Sequence, residues 1–275
     1  MKRWIWFVGW MCSFSAIGQC DAIETLYNDG AFEEVIERIN EPQTPCEWLL
    51  LADSHHKLGA FEDALQAYDE VIDGSQDPSV LLHRGICLFS LAQYERSKDD
   101  LAMAYEEGLR DKRIPYYLAA CDYMEGNYNR AIAYLKDALE IDPDYFDAHY
   151  LLGAAYLENG KPTSAQGAFE KCGALKPEDD RTQLNLAITL LDQFRFDDAR
   201  TILDVLARSE DDSMARDAYY QRGCLRFQTH DRAGACEDWA NAAELGDQDA
   251  IRLQDTICEG KKKKLVNRKK VYVSF

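Results

Sequence analysis

The sequence predicts an all-α, right-handed superhelical solenoid, closed by a C-terminal capping helix and followed by a basic tail. Three observations predict it. A 34-residue period returns along the chain, with the same small residues in the same slots. Apolar residues inside each period recur at helical spacing. Proline, glycine and aspartate punctuate the period where one helix must end and another begin. In the clearest copy Leu152-Gly153 is followed by Tyr156, Gly160, Ala165, Phe169, Cys172 and Pro177; one period upstream stand Leu118-Ala119, Gly126, Ala131, Leu135, Ala138 and Pro143. A helical hairpin of this size cannot bury its apolar face alone and must stack on copies of itself.

The chain starts with Lys2 and Arg3, an apolar run from Trp4 to Phe14, and the small residues Ser15-Ala16-Ile17-Gly18. These are the parts of a secretory signal, cut after Gly18. The run is too short for the ~20 apolar residues of a spanning helix, so no integral membrane span is expected once residues 1–18 are removed. A lipid anchor on Cys20 is the minor alternative, with Gln19 standing where such signals carry a small residue. The expected address is the periplasm or the exterior.

Residues 19–44 read as a truncated first repeat, with Gly30-Ala31-Phe32 as its inter-helix turn. Residues 45–249 read as about six tandem units, starting near Pro45, Pro78, Lys112, Phe146, Asp180 and Arg216. Counting from those starts, position eight is the expected helix crossing, where Gly85, Gly153 or Gly223 permits close approach. Position twenty (Ala64, Ala131, Ala165, Ala199) is expected to face that crossing. Position twenty-four (Tyr68, Leu101, Leu135, Phe169, Leu203) is expected to plug the gap to the next unit. Asp142-Pro143-Asp144 and Lys176-Pro177-Glu178-Asp179 are expected to end one helix and cap the next. Residues 250–260 form the capping helix and 261–275 the basic tail.

Charge is unevenly distributed. The chain carries −18 formally, but residues 261–275 hold seven basic and no acidic residues, and residues 1–18 hold two basic ones. Residues 19–260 therefore set 22 basic against 49 acidic side chains, a net of −27. Such a surface repels nucleic acid, so no nucleic-acid partner is expected. The tail, ending Val271-Tyr272-Val273-Ser274-Phe275, is suited to an anionic partner, to strand addition, or to folding back on an acidic groove.

Export permits disulfides. Eight cysteines follow the signal, and most occupy slots that want a small buried residue. Cys236 and Cys258 differ. Cys236 lies in the first turn of the last repeat's second helix and Cys258 ends the following helix; antiparallel neighbours bring those ends together, so this pair is the expected staple.

These slots resemble the tetratricopeptide repeat family over roughly residues 21–259. Tyr219-Tyr220-Gln221-Arg222-Gly223, Ala235-Cys236-Glu237-Asp238-Trp239 and Ala243-Glu244-Leu245-Gly246-Asp247 are similar to the terminal repeat of exported members from Bacteroidetes-type bacteria. The resemblance implies a non-enzymatic protein-interaction scaffold of the bacterial cell envelope, binding a protein or peptide segment along its inner wall. First-helix positions two, five, nine and twelve line that wall in the family. Here they supply Leu49, Asp53, Leu82, Ile86, Phe89, Arg113, Tyr116, Tyr123, Tyr150, Leu157, Leu184, Ile188 and Tyr220, an apolar and tyrosine-rich groove. No unit carries the family's Lys-and-Asn pair that clamps a terminal carboxylate. A holdase-like chaperone for secreted or outer-membrane clients is the alternative, and a purely structural envelope subunit the second alternative.

No catalytic residue, cofactor or metal site is expected. His55 and His56 are adjacent and cannot share a helix face, His83, His149 and His230 sit in separate units, and phosphate loops, nucleophile elbows and Cys-x-x-Cys pairs are missing from the sequence.

Overall fold

The computed structural model describes residues 20–72 and 77–260. The signal segment 1–18 with its cut, and the basic tail 261–275, lie outside the described residues. All described secondary structure is helical. The chain divides into two compact units, Met1–Glu125 and Gly126–Phe275.

The first unit holds α1 (20–28), α2 (Phe32–Arg38), α3 (Pro45–Lys57), α4 (Phe61–Ile72), α5 (Pro78–Ser90), α6 (Tyr94–Glu106) and α7 (Arg113–Met124). The second holds α8 (Tyr128–Ile141), α9 (Phe146–Glu158), α10 (Pro162–Leu175), α11 (Asp180–Asp192), α12 (Phe196–Leu206), α13 (Asp212–Gln228), α14 (Arg232–Glu244) and α15 (Gln248–Leu253). A single π-helical turn, Gln254–Cys258, extends α15. In each unit consecutive helices pack as antiparallel hairpins, and first helices also touch: α3 with α5, α5 with α7, and α9 with α11 with α13.

Helix starts follow local chemistry. Thr44 and Glu47 form a capping box at α3, with Pro45 as first helical residue: the Thr44 hydroxyl accepts from the Glu47 amide at 3.2 Å, and Glu47 Oε2 accepts from the amides of Thr44 and Gln43 at 3.1 and 2.8 Å. A cap of this kind is worth about 1 kcal/mol. Asp179 caps α11 as expected, accepting from the Thr182 amide at 2.9 Å. α9 begins at Phe146, where its unit was expected to start, but its N-cap is Tyr145 and not Asp144, whose carboxylate instead pairs with Lys171 at 2.8 Å.

The helix crossing is tight, and position twenty-four supplies the bulky side chain that meets it. A Cβ on Gly85 would lie 3.0 Å from Leu101, one on Gly153 2.7 Å from Phe169, and one on Gly223 2.6 Å from Trp239. The position-twenty-four side chain thus seats on the position-eight glycine of its own hairpin, and Tyr68 at the same position also packs against Val80 and Cys87 of the next one. Position twenty is also at the crossing in one case, where Ser97 donates to the Gly85 carbonyl at 2.8 Å. Leu101 and Phe169 are fully buried and Trp239 nearly so. Each such side chain contributes roughly 1.5–3 kcal/mol.

Two arginines tie hairpins together at the same level. Arg84, just before Gly85, forks onto Asp100 with two bonds of 2.7 Å and reaches Asp69 on the preceding hairpin at 2.7 Å. Arg222, just before Gly223, forks onto Asp238 at 2.7 and 3.0 Å and reaches Asp204 at 2.8 Å. Asp100 and Asp238 are buried. Removing Arg84 leaves the buried Asp100 charge unanswered, a loss of about 3–5 kcal/mol, whereas Asp238 keeps a second partner in Arg226 at 3.0 Å.

Every hairpin turn passes through a left-handed residue. Gly30, Gly59, Gly126 and Gly160 fill that place in four turns, but Ala92, Phe194 and His230 hold it at φ of 56°, 60° and 67°. The left-handed region costs an L-residue roughly 1–2 kcal/mol, so these three turns are held against local preference. Phe194 is also 78% exposed.

Two disulfides sit at the ends of the described chain. Cys236–Cys258 is present, Cα–Cα 5.9 Å, where the sequence placed a staple. Cys20–Cys46, Cα–Cα 6.5 Å, joins α1 to the start of α3. It uses the thiol that a lipid anchor on Cys20 would need, so the two are mutually exclusive. Cys87, Cys121 and Cys172 are buried thiols in the core, which is the role the small-residue slots predicted for them. Burial pushes their thiols up, to about 12, 11 and 12 respectively, which leaves them unreactive in the folded state. Unfolded without reductant, protein comprising residues 19–275 is expected to label at four thiols (Cys87, Cys121, Cys172 and Cys224) and at all eight after reduction. More than four labels before reduction contradicts the pairing.

Candidate partner-binding face

The first helix of each hairpin carries the residues assigned to the inner wall, and packing divides them sharply. Leu82, Ile86, Phe89 and Tyr116 in the first unit, and Tyr150, Leu157, Leu184, Ile188 and Tyr220 in the second, are all buried. First helices touch one another directly, so beyond the unit that starts at Pro45 positions five and nine at Leu82, Ile86, Tyr116, Tyr150, Leu184, Ile188 and Tyr220 are buried. Leu49, Asp53, Arg113 and Tyr123 remain half-exposed, and all four belong to the first unit.

Tyr150 illustrates the buried set. Its ring stacks on Phe146 at 6.1 Å between centroids, lies edge-on to Phe169 at 5.9 Å, and its hydroxyl accepts from Asn185 at 2.9 Å. Burial pushes its phenol above the ordinary range. Lys176 lies 4.0 Å over the Phe146 ring. The tyrosine is a structural post between α9 and α11, with its hydroxyl already engaged.

The half-exposed set of the first unit is polar. The Tyr68 hydroxyl, carried on α4, donates to Asp53 Oδ1 on α3 at 2.5 Å. His83 on α5 brings Nδ1 to 3.4 Å from the same oxygen. The His56 ring on α3 lies 5.9 Å from that of His83 and 5.9 Å from Phe61. Toward α7, Arg113 forks onto Asp111, with Nη2–Oδ2 2.7 Å and Nε–Oδ1 3.0 Å, and its backbone amide donates to the same carboxylate at 2.8 Å. Asp53, His56, His83, Asp111 and Arg113 thus form a polar cluster on α3, α5 and the start of α7.

Burial, and then the neighbouring His83, lower His56 to about 4, so this imidazole is neutral near pH 7. Tyr68 is driven far upward, by burial first and then by the Asp53 charge it faces. The phenol therefore stays a hydrogen-bond donor to Asp53.

Asp53 and Arg113 were expected at this wall; His83 was not, because it sits at position six of its unit and its partners come from the preceding hairpin. Neither the Arg84 and Arg222 clamps nor the Cys20–Cys46 pair was anticipated. An arginine immediately before the crossing glycine, with aspartate sixteen residues later, is the signal that would have found the clamps. Among the described residues no group of three or more His, Cys, Asp or Glu side chains could hold a metal ion, and no helix is long and apolar enough to cross a membrane.

With this geometry in hand the relatives become informative. Residues 122–160 match a family model described as TPR repeat, and residues 156–222 match one described as tetratricopeptide repeat. The BBSome complex member BBS4 of Bos taurus is 28% identical over 134 residues, 48% of this chain. The human Superkiller complex protein 3 is 40% identical over 67 residues, 24% of this chain. The matched stretches span only 25% and 4% of those two proteins. Among solved structures, the C-terminal part of a TPR repeat-containing protein from Cytophaga hutchinsonii superposes with a TM-score of 0.65, at 16% identity, over 85% of this chain and 98% of that one. YrrB, described as a TPR protein with an unusual peptide-binding site, superposes with a TM-score of 0.58, at 18% identity, over 70% of this chain and all of that one. The fold class is the all-α tetratricopeptide solenoid, and the matches support a tetratricopeptide repeat protein. Proteins of this fold are generally non-catalytic scaffolds for protein–protein interaction.

The depressed His56 makes stability depend on pH. An unfolded histidine takes its proton near pH 6.5, whereas His56 in the fold resists until about 4. Its neutral state is therefore compatible with full stability above pH 6.5, and stability declines as pH falls from there toward 4. Urea melts of the wild type and of His56→Gln between pH 7.5 and 4.5 are expected to diverge, the variant losing less stability on acidification. Parallel curves contradict the assignment.

Proposed function

We propose that the protein is a non-enzymatic interaction scaffold of the bacterial cell envelope that holds a partner segment against the first-helix face of its first unit. The single observation carrying this reading is the half-exposed polar cluster Asp53, His56, His83, Asp111 and Arg113, in which Asp53 accepts from Tyr68 and faces His83 while Arg113 forks onto Asp111. A partner meeting it places polar and charged groups of both signs across α3, α5 and α7, with Leu49 and Tyr123 as flanking apolar contact. This departs from a continuous apolar groove: the tyrosines and aliphatic residues that would have lined one are occupied inside the fold.

Export across the inner membrane, with cleavage after Gly18, fits two disulfides among eight remaining cysteines, since such pairs persist in oxidising compartments. The partner is a protein or peptide segment, and the net charge of −27 on residues 19–260 disfavours nucleic acid. No cofactor enters the reading. A holdase-like chaperone and a purely structural envelope subunit are the competing roles.

Cross-linking in intact cells tests the choice. Wild-type protein is expected to capture one stoichiometric partner, and Asp53→Lys with Arg113→Glu to lose it by at least about tenfold while keeping the wild-type helical circular dichroism signal. Many unfolded clients, together with suppression of aggregation by the purified protein, would establish the chaperone instead. Unchanged capture by the charge-reversed variant would remove this face from the account.

A further inference from the structure

Arginine answers several carboxylates drawn into this fold, but not Asp53 on the first-unit face. The side chains of Asp100, Asp217 and Asp238 are 6%, 11% and 1% exposed, and Arg84, Arg216 and Arg222 meet them at 2.7, 2.9 and 2.7 Å. The Asp53 side chain is 17% exposed, a comparable depth. Its contacts among the described residues are the Tyr68 hydroxyl at 2.5 Å and the His83 imidazole at 3.4 Å. Both fall on Oδ1. Oδ2 accepts no hydrogen bond from a described residue, and no lysine or arginine among them pairs with this carboxylate. A carboxylate drawn in from solvent with one oxygen unused is a place for a donor.

Aromatic rings accompany that oxygen. The His83 ring centroid lies 6.5 Å from that of Tyr68 and 5.9 Å from that of His56, which in turn lies 5.9 Å from Phe61. His56, Phe61 and His83 are all half-buried. The charged groups acting on His56 are Asp53 and Lys57 on its own helix and Arg113 on α7, and burial lowers it to about 4, so its ring stays neutral near pH 7 and does not repel a cation. Arg113 is already held, forked onto Asp111. A planar cation entering here meets ring faces and a carboxylate together, which adds cation–π attraction to charge-assisted hydrogen bonds.

We propose that Asp53 receives an arginine side chain of the partner segment, the guanidinium donating to Oδ2 and stacking against His56 and His83. This rests on the reading of the first-unit face as the partner surface and names the side chain that the face selects. Guanidinium suits the place better than ammonium because it is planar, weakly hydrated and able to stack while it donates in its own plane. The incoming group does for Asp53 what Arg84 does for Asp100 within the fold. The net charge of −27 on residues 19–260 draws a basic segment toward the surface. An acidic segment would instead set carboxylates against Asp53 and compete with Asp111 for Arg113.

The probe is N-acetyl-arginine amide, titrated into isotopically labelled protein at constant ionic strength, with the uncharged N-acetyl-citrulline amide as control. Saturable shifts of the His56 and His83 side-chain resonances and of the Asp53 amide are expected with the arginine probe, which binds at least about tenfold more tightly than the citrulline one. Asp53→Asn is expected to weaken it at least about tenfold while circular dichroism stays at wild-type values. Tyr68→Phe keeps the carboxylate and removes only its phenol donor, so binding persists there. A loss in Tyr68→Phe equal to that in Asp53→Asn would mean that distortion, not charge, was responsible, and would overturn the proposal. Equal responses to the two probes, or shifts scattered over the acidic surface, overturn it as well. If the arginine probe fails while charge reversal at Asp53 and Arg113 still abolishes capture in cells, this proposal falls and the partner face stands. Binding of the probe together with unchanged capture supports the site and removes the face.

Discussion

Close approach of two helices within each hairpin is the constraint on which the rest of the structure depends. An antiparallel pair can pack this tightly only where one helix presents almost no side chain at the crossing and the other supplies a bulky one to fill it. Gly85 beneath Leu101, Gly153 beneath Phe169 and Gly223 beneath Trp239 are three solutions of that same problem. The close crossing then sets which residues face the next hairpin. It also places Arg84 and Arg222, one residue earlier, where a single guanidinium can reach aspartates on two successive second helices. Apolar filling and a buried ion pair are in this way adjacent consequences of one geometry.

The same constraint decides where function can reside. When first helices are drawn together, their inward positions become interior, and Leu184, Ile188, Tyr150 and Tyr220 disappear from the surface. What remains reachable is where a buried hydroxyl and a carboxylate replace an aliphatic contact. Tyr68 donating to Asp53 is that substitution: it holds a carboxylate at the surface of the first unit, with His83 beside it. Neutral His56 beside them and the Asp111–Arg113 fork complete a face whose character is polar and directional rather than greasy. A scaffold with such a face gains specificity from matched charges more than from buried area.

Much of this was legible from residue order alone, for identifiable reasons. The repeat, the hairpins, the crossing glycines and the Cys236–Cys258 staple all follow from periodicity and from antiparallel adjacency, which are local or nearest-neighbour properties. The buried roles of Cys87, Cys121 and Cys172 follow from slot size. Cys20–Cys46 was hidden because the truncated first repeat has no complete template from which to measure adjacency. His83 was hidden because it acts across a hairpin boundary from an unlisted slot of the repeat, and Asp144 was misassigned because one residue of phase at a helix start moves the cap. The apolar groove was over-read: periodicity identifies an apolar face but cannot distinguish one that meets a partner from one that meets the next hairpin.

A double-mutant cycle across the tightest crossing tests the central claim most directly. Gly223→Ala should destabilise the protein by about 1–3 kcal/mol, because its new methyl group has no room beneath the Trp239 ring. In a Trp239→Leu background that methyl group has space, so the same substitution should cost at least about 1 kcal/mol less, measured by urea unfolding. An equal cost in both backgrounds would mean that the glycine and the tryptophan do not confront each other, and the packing scheme built on that contact would have to be abandoned.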